Sequence, residues 1–234
     1  MKALLPMIIL SLLLSCKGRN EQKSNNNKNL DSLAIIENQK QAEIKELSKI
    51  AYNDVKFGMT KSEVLQTEVF KGGNIVNDGE DYISSLNEIP IGIYSYKMEA
   101  RFYQNSLFKV IIKTYPQTAE YIETELWNYA NNLNDVISLK YGEPEPITGA
   151  MVDIVKRQPT EFDFISKYQI IMYMWDIGDK RIWIKMLNRN GKYYVQADIT
   201  YKPIFDKVFE SINNNTQMEI EKDKQKQQKD ATKF

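Results

Sequence analysis

The chain has 234 residues, with 31 Lys+Arg balanced by 31 Asp+Glu, no histidine and a single cysteine. That balance argues against nucleic acid as a partner, because a phosphate-reading protein normally carries a net basic surface. The missing histidine removes the Ser-His-Asp and Cys-His arrangements and the usual zinc ligand, and one cysteine cannot form an internal disulfide. A hydrophobic fraction of 42%, with 14 Tyr, 9 Phe and 3 Trp, is enough for a packed core. No cofactor or metal site is expected; chemistry by carboxylates, Lys or Tyr stays open.

Residues 1–15 read as a signal peptide, with Lys2 as the basic start and an apolar run from Ala3 to Leu14 interrupted by Pro6. The run is shorter than the ~20 residues a spanning helix needs. It closes on Leu13-Leu14-Ser15-Cys16, which resembles the lipobox of bacterial lipoproteins. The resemblance implies cleavage before Cys16, diacylglycerol on its sulfur and acylation of the new amino terminus. Multiple acyl chains of this kind, palmitate among them, anchor a protein stably. The competing reading is a secretory signal with an incidental cysteine. Lys17 stands where the family's inner-membrane retention signal has Asp, so the resemblance favours the outer membrane, facing the periplasm of a Gram-negative envelope.

Residues 16–30 are polar and lack periodicity, as expected of a flexible tether. Asp31-Ser32-Leu33 resembles a short O-glycosylation sequon, but as a helix cap it needs no modification. From Leu30 to Tyr52 the spacing of Leu33, Ile36, Ile44, Leu47 and Ile50 predicts a helix with a narrow apolar stripe. It could serve as a stalk, a partner helix or a lid on the domain; the lid is the preferred reading.

Val55-Lys56-Phe57-Gly58-Met59-Thr60 leads into a predicted helix, with Thr60 and Glu63 spaced as a capping box. Gly58, Met59, Thr60 and Val64 give a Gly-Met-Thr-x-x-x-Val pattern that resembles the SmpA/OmlA (BamE-like) envelope lipoproteins. Glu99–Val110 is similar to that family's closing hairpin. The resemblance covers residues 54–115 and implies a helix followed by a three-stranded antiparallel sheet, in an envelope-assembly setting. Lys71-Gly72-Gly73 replaces the family's Leu-Gly-x-Pro helix end, and residues 116–213 have no counterpart in it.

Lys71–Pro90 is expected to be a loop with a short strand at Tyr82–Leu86. Ile91–Tyr103 and Leu107–Thr114 should be strands around an Asn105-Ser106 turn. Met98, Ala100 and Phe102 alternate there with Lys97, Glu99, Arg101 and Tyr103. Pro116–Lys140 has helical spacing and a stop at Tyr141-Gly142-Glu143-Pro144. A loop to Gln158 precedes a meander of strands at Gln169–Asp176, Lys180–Leu187 and Lys192–Tyr201, with turns at Gly178-Asp179 and Asn190-Gly191. Pro203–Asn213 closes the domain as a helix, and residues 214–234 read as a disordered polar tail.

The fold class is therefore α+β, antiparallel sheet flanked by helices, over residues 31–213. Halves 54–115 and 116–213 form either two related helix-plus-meander units or one larger sheet. Two functions stay open. A non-catalytic envelope module would present Trp183 and Tyr194 on an uncovered sheet face without a polar cleft, meeting an envelope protein; a sheet covered on both sides is the competing reading. Glu161, Asp163, Asp176 and Asp179 form an acidic cluster near the second meander, and a carboxylate-dependent hydrolase or carbohydrate binder would gather Glu161, Asp163 and Asp176 in one pocket.

Overall fold

The computed structural model describes residues 22–72, 75–77, 81–147, 151–165 and 167–231; residues 1–15, expected to be a signal peptide, and Cys16 lie outside them. Two compact units divide the chain, Met1–Ala42 and Glu43–Phe234. The first unit contributes most of helix α1, Gln22–Lys49. Ile35 and Ile36 on it are exposed, which matches its weak apolar stripe. Helicity starts at Gln22 rather than Leu30, and it ends at Lys49, where a strand follows.

The second unit is α+β. It opens with a small hairpin, β1 (Ile50–Tyr52) and β2 (Val55–Lys56), and a single helical turn, α2 (Lys61–Val64). The capping box is complete. The Glu63 amide donates to Thr60 Oγ1 and the Thr60 amide donates to the Glu63 carboxylate at 2.7 Å. Gly58 has φ +84° before it, a backbone region that favours glycine. The Gly58 amide donates to Leu107 O and the Leu107 amide to Met59 O, so this turn is stitched to the tip of the next hairpin.

Strands β3 (Ile75–Asn77), β4 (Tyr82–Ser85), β5 (Ile89–Ile91), β6 (Tyr94–Tyr103), β7 (Ser106–Lys113), β8 (Gln169–Ile177), β9 (Lys180–Arg189) and β10 (Lys192–Tyr201) form one antiparallel sheet. Its order is β3-β4-β6-β7-β10-β9-β8, with β5 paired to β6 off this path. The β7–β10 ladder fuses the earlier strands with the late meander, so a single large sheet results. The predicted strand Ile91–Tyr103 contains a hairpin instead. Gly92, at φ +62°, turns the chain between β5 and β6, with Ile91 and Ile93 on either side of it. The β6–β7 turn sits one residue earlier than expected, at Gln104-Asn105, because both adopt positive φ as a tight hairpin requires.

Helix α3 (Trp127–Tyr141) packs on one sheet face, preceded by a 3-10 turn at Ala119–Tyr121 and a π-helical turn at Ile122–Leu126. Gly142, at φ +84°, ends it as the sequence predicts, its amide donating to Ser138 O. A short helix α4 (Met151–Lys156) occupies part of the predicted loop, and a 3-10 turn, Glu161–Phe164, follows. Helix α5 runs from Lys202 to Ala231, past the Asn213 end that its apolar residues suggested. Its added length is rich in Gln, Lys and Glu, which are good helix formers without an apolar face.

Period-2 alternation divides the sheet residues between two faces. Tyr96, Met98, Ala100, Val110, Ile112, Val195, Ala197, Ile182, Ile184 and Ile170 lie under α3 and form the core. The opposite face carries the charges.

Candidate functional site

That opposite face is built by register. Ser84, Glu99, Ile111, Asp198 and Trp183 form one continuous row across β4, β6, β7, β10 and β9. The next row runs Tyr82, Arg101, Lys109, Thr200, Arg181 and Asp176. On the other side lies Lys97, Lys113, Gln196 and Lys185. Cations thus flank a central row that contains two carboxylates.

Both carboxylates are buried and fully engaged. Asp198 is 2% exposed and accepts from Lys109 Nζ at 2.9 Å, Lys185 Nζ at 2.5 Å and Gln196 Nε2 at 2.5 Å. Burial opposes its charge, but the two ammonium groups outweigh that and hold its carboxyl below the usual range. Lys109 responds the other way: burial draws its pKa down although Asp198 supports its charge. Glu99 is 4% exposed and accepts from Lys113 Nζ, from Tyr82 OH at 3.0 Å and from Arg101 Nη2 at 3.5 Å.

Two adjoining clefts of about 490 and 730 Å³ open on either side of Glu99. They share Tyr82, Glu99, Lys113, Arg189 and Tyr194. The first is walled by Val76 and Leu86 on one side and by the β9–β10 hairpin on the other, through Arg189, Lys192 and Tyr194. The second is bordered by Phe205 and Val208 of α5. Aromatic rings pair with cations throughout: Arg101 lies 4.2 Å from the Tyr82 centroid, Lys97 4.3 Å from Tyr115 and Arg189 5.8 Å from Tyr194.

Trp183 and Tyr194 do share this face, since each is in register with it through Asp198 and Leu187. They do not form the flat, uncovered aromatic surface that the sequence suggested. Tyr194 is only 7% exposed at the base of the clefts. Trp183 is half-buried between Arg181 and Lys185, its Nε1–H without a partner among the described residues. The face is a polar cleft rather than a plane.

The acidic residues of the hydrolase reading stand apart. Asp163 caps the 3-10 turn by accepting from the Thr160 amide and pairs with Arg157 at 2.5 Å. Phe164 beside it packs edge-on against Tyr193, near the β9–β10 turn and on the core face. Asp176 pairs with Arg181 through two 2.7 Å bonds at the opposite end of β8 and β9. The seven residue steps of extended strand from Gln169 to Asp176 span about 23 Å. Asp179 lies in the turn beyond, where its carbonyl accepts from the Lys202 amide. Two salt-bridged aspartates at opposite ends of a sheet cannot share a substrate. Among the described residues, no three acidic or sulfur-bearing side chains converge as a metal site would require.

Glu99, Asp198, Lys109, Lys113 and Arg189 escaped the sequence reading. Their signal was present: charged residues recur at every second position of β6 and at every fourth position of β7 and β9, on the same face each time. Such alternation ordinarily marks a solvated face. No family model, curated protein or solved structure matches the chain. Among the described residues no helix is long and apolar enough to cross a membrane.

Proposed function

We propose that the chain is a lipoprotein anchored through Cys16 to a Gram-negative envelope membrane, the outer membrane facing the periplasm being favoured. Its α+β domain acts as a non-catalytic interaction module. The Gly58-Met59-Thr60 turn and its resemblance to SmpA/OmlA proteins suggest an envelope-assembly accessory, with an envelope protein as partner.

The observation that carries the non-catalytic reading is the state of the two buried carboxylates. Asp198 is held by two lysines and Gln196, and Glu99 by Lys113, Arg101 and Tyr82. A general base needs a free lone pair and a pKa near the working pH. Asp198 has the opposite tuning, a carboxyl held firmly ionised with its donors already placed. Groups arranged in this way fix a charged surface for recognition.

Anchoring is tested by metabolic labelling with a palmitate analogue and by fractionation of wild type and Cys16→Ser. Wild type should carry label and sediment with membranes, and the variant should be unlabelled and soluble. An unlabelled wild type, or a Cys16→Ser protein still bound to membranes, would overturn the anchor.

A further inference from the structure

We propose that the cleft of about 490 Å³ between β4, β6 and the β9–β10 hairpin binds a compact anion bearing several phosphate groups. This deepens the reading of the charged sheet face as the module's contact surface and rests on it. The volume lies within the range of small-molecule sites.

The charge count within the cleft points to an anion. Lys97, Lys113, Arg189 and Lys192 line it against one carboxylate, Glu99. Only Lys113 is paired with that carboxylate. Lys97, Arg189 and Lys192 form no salt bridge among the described residues. A concave wall carrying one sign of charge focuses its field and concentrates counter-ions of the other sign. Glu99 does not cancel this, since its oxygens are engaged by Lys113, Tyr82 and Arg101.

The spread of the cations sets the ligand's valence. Lys97 rises from β6, in the floor, while Arg189 and Lys192 flank the Asn190-Gly191 turn on the opposite wall. A singly charged ion reaches one wall only. A chain or ring with several phosphates meets both, each monoester or terminal phosphate bringing about 1.5 to 2 negative charges at neutral pH. Arg189 offers the planar fork that pairs with phosphate oxygens. Tyr194 and Tyr115 present ring surface beside these cations, with room for a ring-shaped body.

The test uses full-length protein in non-ionic detergent, titrated calorimetrically with inorganic tripolyphosphate. The expected result is binding that weakens steeply with salt and exceeds sulfate binding at least tenfold. Lys97→Ala/Arg189→Ala should lower affinity at least tenfold with an unchanged melting temperature, while Lys71→Ala, exposed and outside the cleft, should leave it unchanged. Tripolyphosphate binding no tighter than sulfate, or indifferent to the double variant, would overturn the proposal. Competition by mixed micelles carrying a lipid with two phosphate monoesters on its headgroup would keep the site and make its source a lipid headgroup; failure to compete would keep it and make the source a soluble phosphate. Phosphorus NMR separates the two readings. Release of orthophosphate would overturn the non-catalytic function and leave the cleft standing. An absence of binding in a protein that still labels and fractionates through Cys16 would overturn the ligand alone.

Discussion

Asp198 and Lys185 meet at 2.5 Å on adjacent strands, with Lys109 reaching the same carboxylate at 2.9 Å from the other side. All three side chains are largely buried, at 2%, 10% and 19% exposure. Removing the carboxylate leaves two ammonium groups facing each other without a counter-charge. Asp198→Asn should therefore destabilise the fold by roughly 3–5 kcal/mol, the range for breaking a buried pair. Urea denaturation at neutral pH reads this directly. The Asp198 carboxyl is depressed in the folded state, so its contribution is complete above the unfolded-state pKa and is lost as pH falls through the folded value. The wild type should thus lose stability in acid more steeply than the variant.

Lys180 gives a dependence at the other end of the pH scale. It is fully buried on the core face, where its Nζ donates to Leu47 O at 2.7 Å, Ile50 O at 3.1 Å and Tyr141 OH at 2.9 Å. No carboxylate is among these partners. Burial, with repulsion from Lys140 adding to it, brings its pKa down to about 7. Unfolded, the same amine titrates near the ordinary lysine value of about 10.4. Between those values the unfolded chain holds more protons, so stability rises with pH, by at most roughly 1.4 kcal/mol per unit. The urea midpoint should climb from pH 7 to pH 9.5. Lys180→Met should lose that slope and be less stable at pH 9.5, since two backbone carbonyls lose their donor.

What could be read from residue order depended on how local the cause was. The β9–β10 turn at Asn190-Gly191 and strand β10 come from neighbouring residues: period-2 alternation and two positions with positive φ. The Thr60 cap and the Gly142 stop are equally local. The β5–β6 hairpin was hidden because Gly92 lies between Ile91 and Ile93, apolar residues that read as the start of one strand, while Ile89 read as loop. The cleft was hidden for a different reason. Glu99 and Asp198 are 99 residues apart in sequence and share a row only through the β7–β10 ladder. Alternation placed Lys97, Glu99 and Arg101 on one face, but nothing nearby told which charges would face them.

The Gly92 turn has its own lock in Asn132 of α3. The Asn132 side chain donates to Ile91 O at 2.8 Å and Tyr96 OH at 2.9 Å, and it accepts from the Ile93 amide at 3.1 Å. Tyr96 OH then donates to Tyr129 O, and burial pushes its phenol pKa upward in the folded protein. Asn132→Ala should cost about 2–4 kcal/mol, because it strands buried donors and acceptors as well as opening space. Gly92→Ala should be at least as damaging. A Cβ there would sit 2.3 Å from Asn132 Oδ1, at a φ that side chains rarely adopt. If the network acts as one unit, the double variant should lose less stability than the two single losses added together. Full additivity in a thermal-melt cycle would count against that coupling.

Trp183 separates what the charged face needs for folding from what it leaves free. Its indole lies in the row with Asp198, 5.4 Å from Arg181 and 5.7 Å from Lys185, and its buried Nε1–H has no acceptor among the described residues. An unpaired buried donor costs roughly 1–3 kcal/mol. Trp183→Phe removes that donor and keeps an aromatic ring between the two cations, although phenyl is a weaker cation–π partner. Its melting temperature should equal or exceed that of wild type. Trp183→Ala removes the ring as well and should cost about 2 kcal/mol, below the roughly 3–5 kcal/mol of a core aromatic because the indole is half-buried. If Trp183→Phe proved as destabilising as Trp183→Ala, the Nε1–H would be shown to have an acceptor in solution. A stable Trp183→Phe protein also isolates recognition from folding. Any loss of binding to the proposed partner in that variant would then belong to the exchange of indole for phenyl and not to unfolding.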